Sequence, residues 1–183
     1  MGLAVAVRSG SGADLSTALR LLDDAVAWLV SVGRTNQWGS TPFSASEARR
    51  AQIERMLRTG LVRIAEVDEE PVGLAVLMSD PPAYVVPASE PELYLHLLVT
   101  DRARRGAGIG RILVDDAAEL GRERGAEQLR VDCFAGPDGA LVDAYRRLGF
   151  VPVETIAVER EDQALWPGCV LMKRLRLPED PVG

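Results

Sequence analysis

The 183 residues predict an α/β protein folded as one domain. Three observations carry that reading. Apolar patterns follow the order strand, two helices, three strands, helix, strand, helix, two strands. The strand at 92–99 runs through a glycine turn directly into a helix. An apolar share of 47% against 26% charged residues supplies a sizeable core and an ordinary polar surface.

The run at 3–7 is short and apolar, as a first strand requires. Asp14 is positioned to cap the helix that follows, whose core face is Leu15, Leu19, Leu22, Val26 and Leu29, and Gly33 stops it. Ser44-Ala45-Ser46-Glu47 reads as a capping box for a second helix that passes through Ile53, Met56 and Leu57 to Gly60. Strands at 61–66 and 72–78 meet at a turn over 68–71. Residues 79–91 hold Pro81, Pro82, Pro87 and Pro91 and must be irregular. A Leu-, Tyr- and Val-rich strand at 92–99 gives way to a polar, basic stretch at 101–107. From Ile109 the residues Ile112, Leu113, Ala117 and Leu120 continue one helical face. Residues 129–134 form the next strand, a helix carries 144–148, and strands at 153–159 and 169–175 close the domain at about residue 177. A mobile tail is expected over 178–183.

Charge and composition narrow the function. The net charge of −6 argues against polyanionic partners, so neither nucleic acid nor an anionic membrane is expected, and a cationic amine is compatible with it. No window reaches the roughly 18 apolar residues of a membrane span, and the N-terminus lacks a secretory pattern. A cytoplasmic protein is the expectation. Cys133 and Cys169 lie in strands without CxxC spacing, and the chain has one histidine, so buried free thiols are expected and a metal is not.

The chemistry concentrates at 92–111. The first N–H groups of a helix have no partner within it, and aligned peptide dipoles add about half a positive charge there. Phosphates bind such ends. Gly106, Gly108 and Gly110 let the backbone approach a ligand, while Arg104, Arg105 and Arg111 add fixed positive charge. A pyrophosphate fits this description. It is not a P-loop, because Gly110-Arg111-Ile112 supplies neither the lysine nor the hydroxyl, and a GxGxxG motif starting at Gly106 needs glycine where Arg111 stands. The alternative is that the glycines only make a tight turn.

The spacing Arg105-x-x-Gly108-x-Gly110 after a Leu-Leu-Val strand resembles the acetyl-CoA signature of the GNAT acetyltransferase superfamily. Leu129-Arg130-Val131-Asp132-Cys133-Phe134 and the Tyr145-x-x-x-Gly149-Phe150 ending resemble that family's next strand and helix, so the likeness spans about 92–153. The resemblance implies a mixed, mostly antiparallel sheet of about seven strands flanked by about four helices on both faces. It implies acetyl-CoA as co-substrate, without metal, contacted by Leu97, Leu98, Val99, Arg104, Arg105, Gly106, Ala107, Gly108, Ile109, Gly110, Arg111 and Tyr145. A homodimer is a further implication.

The implied activity is N-acetylation of a primary amine, on a small molecule or a protein, by direct attack on the thioester. The family likeness suggests a bulge in the strand at 95–99 that frees a backbone N–H near 97–99 for the oxyanion. Tyr145 stands at the family's usual general-acid position; its place on the apolar face with Leu141, Ala144 and Leu148 also suits a purely structural tyrosine. The base is Glu92, His96, or solvent or the substrate itself; Glu92, Tyr94 and His96 share one strand face at period two. Gln37, Trp38 and Phe43, between the first two helices, are the acceptor-side candidates, and Trp38 equally suits pinning its loop to the core. Where relatives often have an asparagine after the Asp-Cys strand, this chain has Ala135-Gly136-Pro137-Asp138-Gly139. A non-catalytic acyl-CoA sensor is the alternative function, and an interaction protein whose glycine turn binds nothing is a third.

Overall fold

The computed structural model describes residues 4–160 and 163–175. Seven strands form one sheet in the order β1-β2-β3-β4-β5-β7-β6, mostly antiparallel, with four α-helices. The chain divides into two compact units, the first made of 1–78 and 97–114, the second of 79–96 and 115–183.

In the first unit, β1 (Ala6–Ser9) pairs antiparallel with β2 (Leu61–Val67), and β2 with β3 (Glu70–Met78). The first strand lies later than the 3–7 expected from the apolar run, and residue 3 is outside the described residues. The β2–β3 turn is Asp68-Glu69, both at positive φ (50° and 65°), the two-residue geometry whose twist matches a hairpin.

α1 (Leu15–Ser31) buries Ala18, Leu19, Leu22, Ala25, Val26 and Leu29, the three- and four-residue spacing read from the sequence. Its entry differs from that expectation. Asp14 makes no side-chain cap bond to α1. Ser11 instead caps a 3-10 turn (Gly12–Asp14) by accepting from the Ala13 N–H, and Asp14 accepts in return from the Ser11 N–H at 2.8 Å. The box is therefore Ser11 with Asp14, one turn earlier. α2 (Glu47–Thr59) is likewise capped by Ser46, which accepts from the Arg49 N–H, so Glu47 opens the helix and the box expected from Ser44 does not form.

Both helices cover one face of this unit, where Ala18, Leu22, Val26, Ile53, Leu57, Val62, Ile64, Leu74, Val76, Leu97 and Val99 form a buried cluster. Each buried Leu, Ile or Val among them stabilises by roughly 1.5–3 kcal/mol. The opposite face of β3 takes the start of α3 (Ile109–Glu123): a Cβ at Gly73 would stand 2.8 Å from Ile109 Cγ2 and 3.0 Å from Leu113 Cδ1. A Cβ there would force these two side chains to shift.

In the second unit, the first residues of β4 (Glu92–Thr100) run parallel to β5 (Gln128–Phe134), in register from Glu92↔Gln128 to Leu95↔Val131. The pairing ends there although both strands continue. β5 pairs antiparallel with β7 (Gln163–Arg174), and β7 with β6 (Val151–Arg160); both strands of this hairpin are longer than the apolar runs suggested. α4 spans Ala140–Arg147. Cys133 and Cys169 are buried, free and directly opposed in the ladder. The expected tail lies outside the described residues. Among those described, no helix is long and apolar enough to cross a membrane.

Candidate active site

In the first unit, β4 ends at Thr100 and Asp101 takes over, its N–H donating to Val72 O at 2.8 Å and its Oδ1 accepting from the Ala103 N–H at 2.8 Å. The 3-10 turn Arg102–Arg104 follows, then Gly106 and Gly108 at φ +85° and +77°. No L side chain adopts those angles cheaply, which is why glycine stands at both. The first bond of α3 runs from the Ile112 N–H to Gly108 O at 3.1 Å, so the N–H groups ahead of it have no acceptor within the helix. A Cβ at Gly106 or Gly108 meets nothing within 4 Å, and at Gly110 only Thr100 Cγ2 at 4.0 Å. The turn thus presents open backbone donors at a helix N-terminus, the arrangement that holds an anion.

The arginines around it divide by partner. Arg104 is paired with Glu70 at 3.0 Å and Asp101 at 3.7 Å. Arg102, which sequence reading passed over, lies 3.6 Å above the Trp28 ring, and Arg105 lies 5.9 Å from the same ring. Burial, then the neighbouring Arg105, lower the Arg102 pKa, and Arg102 Nε is buried with no hydrogen-bond partner among the described residues. Two cations on one indole are a local excess of positive charge beside the turn.

The segment between α1 and α2 is held inward. Phe43 is buried in the helix cluster and Trp38 packs against that cluster, with the two rings edge to face at 5.8 Å. Arg49 stacks on Phe43 at 3.7 Å and donates to Trp38 O at 2.7 Å. Gln37 beside them is half-buried.

In the second unit, one face of the parallel pair carries Glu92, Tyr94, His96, Arg130 and Asp132. Glu92 is bound by Arg130 Nη1 at 3.1 Å, both side chains nearly out of solvent at 6% and 7% exposure, and it also accepts from the Ala88 N–H at 3.0 Å. Arg130 in addition donates to Val86 O. His96 Nε2 lies 2.7 Å from Asp80 O. A carbonyl only accepts, so Nε2 carries a proton, and in the neutral ring the lone pair is on Nδ1. Tyr94, fully buried, touches the His96 ring edge to face at 5.2 Å and donates its hydroxyl to Asp132 Oδ1 at 2.8 Å. Tyr84 donates to Asp132 Oδ2 at 3.1 Å. These four side chains of β4 and β5 fasten the proline-rich segment 79–91 to the sheet.

Tyr145, on α4, is 8% exposed and packs edge to face on Phe150 at 5.6 Å. Burial raises its pKa, with smaller contributions from Cys133 and Asp132. Its hydroxyl makes no hydrogen bond among the described residues. Burial likewise pushes the Cys133 thiol up to about 12.

Residues 23–150 match the Acetyltransferase (GNAT) family. The chain belongs to that family. Over 46 residues this GNAT chain is 46% identical to a streptothricin acetyltransferase of Streptomyces lavendulae, a stretch that is 25% of this chain and 24% of that relative. Among solved structures it resembles a ribosomal-protein-alanine N-acetyltransferase from Brucella melitensis at 25% identity and TM-score 0.66, covering 93% of this chain and 99% of the other. The fold is also that of a putative acetyltransferase from Salmonella typhimurium with its cofactor acetyl-CoA, at 16% identity and TM-score 0.64, covering 97% and 98%.

Proposed function

We propose that this GNAT protein transfers the acetyl group of acetyl-CoA to a primary amine of a small molecule or a protein. The open glycine turn at the start of α3 carries the proposal, because its geometry and charge suit the pyrophosphate of CoA. The GNAT family match, the 25% identical N-acetyltransferase and the neighbour holding acetyl-CoA support it.

The neutral amine attacks the thioester carbonyl, a tetrahedral oxyanion forms, and the thiolate departs. For the oxyanion, the family likeness offers a backbone N–H near 97–99, freed where a bulge interrupts the strand. Tyr145 is the proton donor to the thiolate: burial keeps its hydroxyl protonated until a base develops beside it. For the incoming amine, His96 Nδ1 is the better base than Glu92, whose oxygens are engaged by Arg130 and Ala88. Of the acceptor-side candidates, Gln37 and half-buried Trp38 are retained, and Phe43 supports them from the core.

The test is calorimetric titration with acetyl-CoA and free CoA, wild type beside Gly108→Asp. Micromolar binding that the variant loses is the expected result. Absence of binding by the wild type at high concentration would overturn the reading.

A further inference from the structure

Asp132 differs from Glu92, the other carboxylate that β4 and β5 place on this face of the sheet. It follows Val131, the last residue of β5 in register with β4, and is half-buried. Two residues earlier, Arg130 is consumed by Glu92. Among the described residues no cation pairs with Asp132; its oxygens instead take one hydroxyl each, from Tyr94 below and Tyr84 beside it. A carboxylate withdrawn from water is ordinarily matched by a cation. Here the two phenols fix its orientation and leave lone pairs on both oxygens unused.

We propose that Asp132, oriented by Tyr84 and Tyr94, binds a second, non-reacting ammonium group of the acceptor, which makes diamines and other dicationic amines the preferred substrates. This rests on the amine-acetylation reading above. The reacting nitrogen must be neutral to attack, so a carboxylate beside it would hold it in the wrong form; a carboxylate suits a nitrogen that stays charged. Tyr94 sets the spacing, since it touches His96 with its ring edge and Asp132 with its hydroxyl. Tyr84 is 49% exposed, so the carboxylate that it orients lies at the accessible edge of this group. The net charge of −6 favours the approach of such a ligand.

The experiment titrates CoA-saturated protein with cadaverine and with n-pentylamine, the same chain with one ammonium fewer. Cadaverine is expected to bind at least about tenfold more tightly, the size of one charge-assisted contact. Asp132→Asn should bring that ratio to about one while CoA and n-pentylamine binding stay unchanged. Tyr84→Phe, at a position 49% exposed, should reduce the ratio severalfold. Equal affinities in the wild type, no cadaverine binding, or a ratio that survives Asp132→Asn would each overturn the proposal. The preceding CoA titration separates the two readings: CoA bound without diamine preference sinks only this inference, whereas no CoA bound sinks the acetyltransferase reading.

Discussion

The hydroxyl of Tyr94, a residue with no solvent exposure, donates to Asp132 Oδ1 at 2.8 Å from the last paired stretch of β4 to the first unpaired residue of β5. The bond spans the point where the two parallel strands part. Burial first, and the Asp132 charge second, raise the Tyr94 pKa, so the phenol acts there as a donor throughout the physiological range. Tyr94→Phe keeps the ring and removes the bond. A loss of about 1–2 kcal/mol is expected from urea unfolding, since half-buried Asp132 retains Tyr84 and access to water. No loss at all would mean that the bond contributes nothing to holding Asp132.

Tyr145→Phe separates chemistry from packing. The hydroxyl has no partner among the described residues while the ring packs on Phe150, so unfolding free energy should change by less than about 0.5 kcal/mol. Turnover with acetyl-CoA and an accepted amine should fall about 100-fold or more, with acetyl-CoA affinity retained. Unchanged turnover would return Tyr145 to a structural role.

The Glu92–Arg130 pair is a structural unit. Arg130→Met strands a nearly buried carboxylate and should cost about 3–5 kcal/mol by chemical denaturation. Replacing both residues by methionine should recover most of that loss, because the desolvation of two charges disappears with them. In Glu92→Gln, turnover per folded molecule should remain within a few-fold of wild type. A hundredfold fall there would restore Glu92 as the base in place of His96.

The start of α1 brings acid sensitivity. The Arg8 guanidinium, at 2.8 Å, holds the Asp14 carboxyl below the usual carboxylate range, helped by the Ser11 N–H and opposed by partial burial. With the folded value below an unfolded one of about 3.9, this contribution is fully present above about pH 5. It disappears as the pH falls through the folded value. Asp14→Asn should therefore lower stability at neutral pH and flatten the pH dependence below about pH 4, read from urea midpoints. Parallel curves for the two proteins would show that Asp14 is not linked to folding.

Local patterning determined much by itself. The spacing of Leu19, Leu22, Val26 and Leu29 specifies a buried helix face, and the prolines at 81, 82, 87 and 91 exclude regular structure. Gly106 and Gly108 mark the positive-φ turn into α3, because few other residues adopt those angles. All of these depend on near neighbours in the chain, and so do the family motifs built from them. Caps are also local, yet Ser11 and Ser46 displaced Asp14 and Ser44, since several short polar side chains compete within one turn and backbone geometry selects among them. What only the tertiary structure decided was partnership. Glu92 and Arg130 are 38 residues apart, as are Tyr94 and Asp132, and Tyr84 and Asp132 are 48 apart. Nothing near Glu92 in the chain announces that Arg130 matches its charge, or near Asp132 that two tyrosine hydroxyls hold it. Strand register brings those groups together, and register is settled by the packing of the whole sheet.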